Sequence, residues 1–473
     1  MPTPRAHLTP STAQSELADA LAALRTELTI PNAFPADVQA EAEAATATPP
    51  TIDLRDIPFA TLDPAESRDL DQAFHLERAG SGWQVRYAIA DVPGFVAAGG
   101  PMEAEARRRG QTLYGADGST PLHPLVISAG KASLLPGEDR PAYVWTFTLD
   151  ADGAETSHRV ERAWVRSRAK LDYASTQAAL DRGEESPAAL LPEIGRARIE
   201  QERLRGGASL NLPDEEIVRD AAGSYRIERR RPLDVEDGNA QLSLMTGMAA
   251  ARMMLDARIG ILRTMPPPDD DAIAAFRVRT TALGMPWAPE QTYGDYLRGL
   301  DRSDAATLAV LHAAASLFRG AGYAAFDGEV PAVTTQAAVA APYAHVTAPL
   351  RRLVDRWGLV VCEAVSHGRE VPAWVRESLG ELPELMRASS QRAAQLSSGS
   401  LDRVEAAVLR DRVGEHFDAV VLEVRSGKAR IQLADPAVTA SCPVPAVVQA
   451  GQTIGVMLTS ADIASGTATF TLG

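Results

Sequence analysis

The hydrophobic pattern of this 473-residue chain changes period several times, so no single layer of one kind of element can account for it. Over residues 411–473, five short runs (FDAVVLEV, KARIQLAD, TASCPV, TIGVML and TATFTL) are separated by Gly, Pro, Asp or Ser. That spacing predicts a small closed barrel of the OB type and leaves other small β-barrels open. From 51 to about 170 the chain alternates strands and turns. WQVRYAIADV passes from alternation to an unbroken apolar end, and YVWTFTLDADG with SHRVERAWVRSRAKLDY reads as a hairpin turning at Asp152-Gly153. From 174 to about 400 helices dominate, and AQLSLMTGMAAARMMLDARIGIL is long and apolar enough for a buried helix. In residues 1–50, Leu17, Leu21, Leu24 and Leu28 recur at helical spacing behind the capping candidates Ser11 and Thr12, and ADVQAEAEAA predicts a second helix after Asn32 and Pro35. Such a pair is either a helix-turn-helix fragment or plain packing. The expected organisation is a small helical N-terminal module over 1–50, a mixed α/β (α+β) core over 51–405, and a five-stranded OB-type β-barrel over 411–473.

The formal net charge of −15 argues against a general affinity for polyanions. The basic residues are nevertheless skewed: of 47, only Lys131, Lys170 and Lys428 are lysine. That bias reflects either a GC-rich coding sequence or an arginine-lined channel that grips phosphates and stacks on bases. Hydrophobic residues at 45% and charged residues at 23% exclude a disordered chain. Two cysteines, Cys362 and Cys442, cannot build a disulfide framework, which points to a reducing cytoplasm. No apolar stretch has the length of a membrane helix, and MPTPRAHLTP lacks an apolar signal core.

Two stretches carry chemistry. Thr61-Leu-Asp-Pro-Ala-Glu-Ser-Arg-Asp-Leu-Asp-Gln72 places Asp63, Asp69 and Asp71 on a turn-rich stretch between two strand-like runs. Oxygen ligands suit Mg²⁺, so the stretch is either a cation-binding loop or a solvated acidic one. A phosphatase-type use of Asp69 and Asp71 would need a hydrophobic strand ending at Asp69, and ATLDPAESR is not one. Far along the chain, APYAHVTAPLRRLVDR sets Arg351 and Arg352 after Pro349, in the expected first turn of a helix. The helix dipole disfavours cations there unless an anion binds nearby, the other reading being a salt-bridge cluster with Asp355. Tyr114 and Tyr173 are either stacking platforms or half-buried packing. His123 and His345 lack a second His or Cys at metal spacing and read as structural. Arg162, Arg166, Arg168 and Lys170 share one side of an extended strand, as a solvated face or a channel wall.

Taken together, these blocks resemble the RNB-domain exoribonucleases, the ribonuclease II and ribonuclease R group, over nearly the whole chain. DLRDIPFATLDPAESRDLDQAF is similar to the family's signature of an Asp followed after five residues by Asp-x-Asp-Asp. YAIADV, RRRGQTLYGADGSTPLHP, ASLLPGEDRPA, RAWVRSRAKLDY, GGASLNLPDEEI and YAHVTAPLRRLVDR match the following blocks in order, and Asp-Leu-Asp-Gln-Ala is as in the shorter actinobacterial-type members. The resemblance implies a Mg²⁺-dependent hydrolytic 3′→5′ exoribonuclease, with one or two ions and Mn²⁺ able to substitute, that degrades single-stranded RNA processively to nucleoside 5′-monophosphates. No dedicated protein partner is inferred, single-stranded RNA is the expected partner, and a monomer is expected. Carried over by position, Asp63, Asp69 and Asp71 become metal ligands together with the Gln72 carbonyl, and Arg351 binds the scissile phosphate. Tyr114 stacks near the 3′-terminal bases and Tyr173 stands beside the metal; Arg352, His345 and Arg168 join the RNA-binding set.

Three departures stand out. Gln72 replaces the family's fourth aspartate, and Ser397 replaces the glutamate of a late Arg-Ala-x-x-x-Glu-Arg pattern. Residues 1–50 are too few for the two cold-shock domains of ribonucleases II and R. The first two motivate an alternative, a catalytically silent RNA-binding or regulatory homologue.

Overall fold

The computed structural model describes residues 13–208, 214–219, 225–230, 232–301, 305–315, 317 and 319–473. The capping candidates Ser11 and Thr12, and residues 209–213 of the GGASLNLPDEEI block, lie outside these. The first half of the core is a six-stranded sheet ordered Ile52–Asp53, Glu155–Leu171, Phe59–Leu62, Gln72–Ala79, Gly82–Ala90, Asp139–Leu149. Glu155–Leu171 is long enough to pair twice, antiparallel to Asp139–Leu149 with Thr146 opposite Arg159, and parallel to Phe59–Leu62 with Leu62 opposite Leu171. Hydrogen bonding therefore runs round five strands and returns to its start. The hairpin turns where the sequence predicts: Gly153 has φ 76°, and a Cβ there would meet Ala197 Cβ at 2.6 Å.

The apolar end of WQVRYAIADV follows from cover on both faces. Val85, Tyr87 and Ile89 point to a core shared with Leu242, Met245 and Ala249 of the helix Asp234–Ala257 and with Val354 and Trp357 of the helix Leu353–Ser366. Ala88 and Ala90 point the other way, against Val38 and Ala42 of the helix Ala36–Ala44 and Met102. The run AQLSLMTGMAAARMMLDARIGIL splits, contrary to the single helix expected. Arg258 adopts φ 56° and ends the helix, and Ile259–Thr264 becomes a strand paired with Gly322–Asp327. Gly260, with φ 156°, crosses over Met254, whose Cγ would stand 2.5 Å from a Cβ, and the β-branched Ile259 and Ile261 favour the extended form.

The five C-terminal runs form the strands His416–Arg425, Lys428–Leu433, Thr439–Pro443, Thr453–Asp462 and Thr467–Leu472 of a closed barrel. Val421, Ile431, Cys442, Val456, Leu458 and Phe470 fill it. The two N-terminal helices pack on different neighbours. Ala13–Glu27 lays Leu17 and Leu21 against Val404 and Ala407 of the long helix Leu382–Leu409, whereas Ala36–Ala44 packs on the sheet's outer cluster. Cys362 and Cys442 are both buried and free. No described helix is long and apolar enough to cross a membrane.

Candidate active site

The acidic stretch is held in shape by a single serine. Leu70 is buried as an anchor, its N–H donates to Ser133 Oγ at 3.0 Å, and Ser133 Oγ donates to the Arg68 carbonyl at 2.6 Å. With Leu70 fixed, Asp69 and Asp71 leave the chain on either side of it. Asp71 is 4% exposed, and its Oδ1 accepts the Leu350 N–H at 2.7 Å, joining segments 279 residues apart. Arg351 Nε stands 3.5 Å from Asp71 Oδ2, with its side chain 46% exposed.

The loop bearing Arg351 is bolted down by its neighbour. Arg352 is bidentate to Asp355, Nε to Oδ2 and Nη2 to Oδ1, each at 2.8 Å, and Asp355 Oδ1 also accepts the Ala348 N–H at 2.6 Å. The helix begins at Leu353 rather than before the arginines, because Arg352 is extended, with φ −131°, and bridges to Gln111. The two arginines therefore precede the helix instead of forming its first turn. Gly247 lets the helix Asp234–Ala257 lie flush on this loop: a Cβ there would meet the Tyr343 ring at 2.1 Å.

Asp63, Asp69, Asp71, Gln72, Tyr114, Tyr173 and Arg351 line one cavity of about 590 Å³. Tyr114 stands 53% exposed on the short hairpin of strands Leu113–Gly115 and Gly118–Thr120. Tyr173 opens a helix capped by Asp172, and its hydroxyl accepts from Asn239 Nδ2 at 3.4 Å. Gln72 already has both ends of its amide engaged: Nε2 donates to the Thr347 carbonyl at 2.6 Å and Oε1 accepts from Tyr87 at 2.8 Å. Three residues of the predicted set lie off the cavity. Arg352 serves Asp355; His345 sits among Tyr323 and Tyr343, its Nδ1 2.7 Å from the Tyr323 hydroxyl; Arg168 donates to the Arg55 carbonyl at 2.6 Å on an exposed edge. Arg162 and Arg166 of the same strand pair with Asp91 and Asp139, and Lys170 donates to the Ala65 carbonyl at 2.5 Å.

The cavity's charge is unbalanced. Burial pushes the Asp71 carboxyl up to about 8, with Arg351 and the Leu350 N–H pulling it back and Asp355 pushing it further. Burial and the neighbouring Asp69 push Asp63 up to about 6 against the pull of Arg351 and Lys170. His345 goes the other way: desolvation and the charges of Arg352, Arg263 and Arg351 hold its proton affinity well below that of a free imidazole. The acidic wall thus lacks positive charge, which a divalent cation supplies. Among the described residues no three His, Cys, Asp or Glu side chains form a ready-made cage. An all-oxygen set with few protein ligands still fits Mg²⁺, which keeps waters and takes the remaining oxygens from substrate phosphates.

Sequence reasoning missed one wall. Glu236, Asn239 and Ser243 of the helix Asp234–Ala257 also line the cavity, and Ser243 Oγ lies 2.8 Å from Thr347 Oγ1. Their spacing of three and four residues, leading into an apolar run, is the signal of a polar stripe on a buried helix. The Ser133 clasp had no local signature.

Comparison with known proteins agrees with this architecture. The sequence matches the RNB domain over residues 51–361 and the RNase II-type exonuclease C-terminal S1 domain over 415–473. The chain belongs to the RNB-domain family. It is 28% identical over 405 residues to "Ribonuclease R" of Escherichia coli (strain K12), covering 79% of this chain and 48% of that protein. The chain thus spans about half the length of the curated relatives it matches. The apo form of Mycoplasma genitalium RNase R superposes with a TM-score of 0.88 at 15% identity, over 97% of this chain and 78% of that one. Yeast Ssd1, described as a pseudonuclease, superposes with a TM-score of 0.72 at 17% identity, over 85% of this chain and 52% of that one.

Proposed function

We propose that this chain is a hydrolytic 3′→5′ exoribonuclease that shortens single-stranded RNA processively to nucleoside 5′-monophosphates. The observation that carries this reading is the convergence of Asp63, Asp69, Asp71 and Arg351 on one cavity, which the Asp71–Leu350 hydrogen bond locks together. Asp63, Asp69 and Asp71 hold the cation, Mg²⁺ or Mn²⁺, which when bound supplies positive charge and Lewis acidity at the scissile phosphate. Gln72, with its carbonyl already accepting from Tyr87, braces the wall against Thr347 rather than serving as a fourth carboxylate. Arg351 faces the phosphate and stabilises charge developing on its oxygens, its direction set by the Arg352–Asp355 clamp behind it. Tyr114 offers an exposed ring for base stacking, a grip without sequence preference. Tyr173 and Asn239 position the 3′-terminal nucleotide from the opposite wall. The mixed fold serves this role as an RNB core over 51–405 with a barrel over 411–473 that adds RNA contacts, acting as a monomer in the cytoplasm.

A second reading, a silent RNA binder, is favoured by Gln72 and by Ser397, which stands exposed on the helix Leu382–Leu409. A time course on 5′-labelled single-stranded RNA separates the two. Stepwise shortening to a few-nucleotide stub, dependent on Mg²⁺ or Mn²⁺ and stopped by a 3′ block, is expected. Intact RNA in both metals, with binding retained, establishes the silent reading.

A further inference from the structure

A second cavity, of about 360 Å³, opens where the barrel meets the helices Asp270–Ala282 and Ala305–Ala315. Arg279, His312 and Arg319 line it from the helical side, and Glu423, Arg425 and Arg430 from the barrel, together with Ala313 and Ala315. It shares no residue with the candidate active site. Among the described residues, four guanidinium groups and an imidazole therefore face a single carboxylate.

That carboxylate is already in use. Glu423 Oε1 accepts from Arg279 Nη1 at 3.4 Å and from Arg425 Nε at 2.6 Å, while Arg279 Nη2 donates to the Leu422 carbonyl at 2.7 Å. Arg279 is thus part of the structural seam. Arg430 is the cross-strand partner of Glu423 in the barrel register, but its side chain makes no hydrogen bond or ion pair among the described residues, and neither does that of Arg319. Beyond the cavity, Asp402 on the long helix feels the charge of Arg430. Burial and then Arg430 lower the proton affinity of His312, as expected beside surplus positive charge. Arginines gathered with so little counter-charge repel one another unless an anion joins them, and the planar fork of two free guanidiniums matches phosphate oxygens. The volume lies at the lower end of ligand cavities, about 300–1,000 Å³.

We propose that this seam cavity is a phosphate-binding site, with Arg319 and Arg430 as its free ligands from opposite sides. The phosphate comes either from the backbone of a bound RNA upstream of the cleavage point or from a free nucleotide. This reading does not depend on hydrolysis, so its test is run in EDTA. Affinities of the full chain for a labelled 20-nucleotide oligo(A) and for a 4-nucleotide oligo(A) are measured by anisotropy across salt concentrations, and pyrophosphate binding by calorimetry, for the parent and for R319Q/R430Q. If the backbone is the source, the double variant loses about tenfold in affinity for the 20-mer, and its salt slope falls by about 1.4, roughly 0.7 per lost phosphate contact. The 4-mer is then bound equally by both proteins. If a free nucleotide is the source, both oligomers bind unchanged and the variant loses pyrophosphate binding. Identical behaviour of the two proteins with all three probes overturns the proposal. R430Q alone, on an exposed barrel strand, gives about half the slope change and guards against misfolding of the double variant.

Discussion

The two cavities are opposites in charge. Among the described residues, one gathers three aspartates and Glu236 around a single facing arginine; the other gathers four arginines around a single glutamate. The sum over the chain, −15, conveys neither. What distinguishes the neighbouring arginines here is how completely each guanidinium is engaged by its counter-charge. Arg352 and Arg351 are neighbours, yet the first is matched by Asp355 on both nitrogens, whereas the second is left half exposed beside Asp71.

The contrast can be broken at its acidic pole. Asp71→Asn is expected to lower the cleavage rate by more than about 10³-fold while leaving RNA affinity near the parent value, because charge stabilisation at the phosphate is lost inside an otherwise intact cavity. Thermal stability is retained or raised, since a poorly compensated buried carboxyl is removed; loss of RNA binding would refute the placement of Asp71. The adjacent arginines sharpen the comparison. Arg352→Ala leaves Asp355 buried without its counter-charge and should cost about 3–5 kcal/mol of stability, read from the urea midpoint. Arg351→Ala should leave that midpoint unchanged while kcat falls by about 10²–10³-fold. Equal effects of the two variants on stability would erase the distinction.

A buried group without charge gives a smaller effect. Burial and the nearby Arg356 hold His123 down to about 3, so this imidazole is neutral in the fold but protonates near 6.5 when unfolded. Between those values the unfolded chain binds the extra proton, so stability is lost as pH falls from 6.5 towards 3. Relative to His123→Phe, the parent should lose about 2 kcal/mol more between pH 7 and pH 5, at about 1.4 kcal/mol per unit below 6.5, as read from urea midpoints at the two pH values. The smallest effect is at the rim. Tyr114→Ala should weaken single-strand binding by about 1–2 kcal/mol, seen as a higher KM with kcat little changed.

Much of this was legible beforehand because it is local. The barrel strands announce themselves by alternation and turn residues, and the hairpin at Asp152-Gly153 by its turn chemistry. Asp63, Asp69, Asp71 and Arg351 stood out in the sequence as candidates, with alternatives left open by spacing alone, and their roles came only with the family resemblance. The rest depends on tertiary contact. Nothing in the sequence near Arg168 says that it binds the Arg55 carbonyl, or near Gln72 that Thr347 and Tyr87 hold its amide. The helix expected to run through IGIL stops at Arg258 because the strand Gly322–Asp327 waits there to pair. Glu236, Asn239 and Ser243 gain a common role only where the fold turns them towards one cavity.

The N-terminal helix Ala13–Glu27 has one more property. Near one end, Arg25 grips the Tyr114 hairpin through both oxygens of Asp117 at 2.7 Å, the Gly118 carbonyl at 2.7 Å and Thr120 Oγ1 at 2.9 Å. Near the other, Glu16 pairs with Arg410, where the long helix gives way to the barrel. A 15-residue helix is a rod of about 22 Å. It works as a strut: a tilt of the barrel about the end of the long helix must either snap the Glu16–Arg410 pair or drag the Tyr114 ring with it. One helix thereby ties the start of the barrel to the hairpin that flanks the candidate cavity.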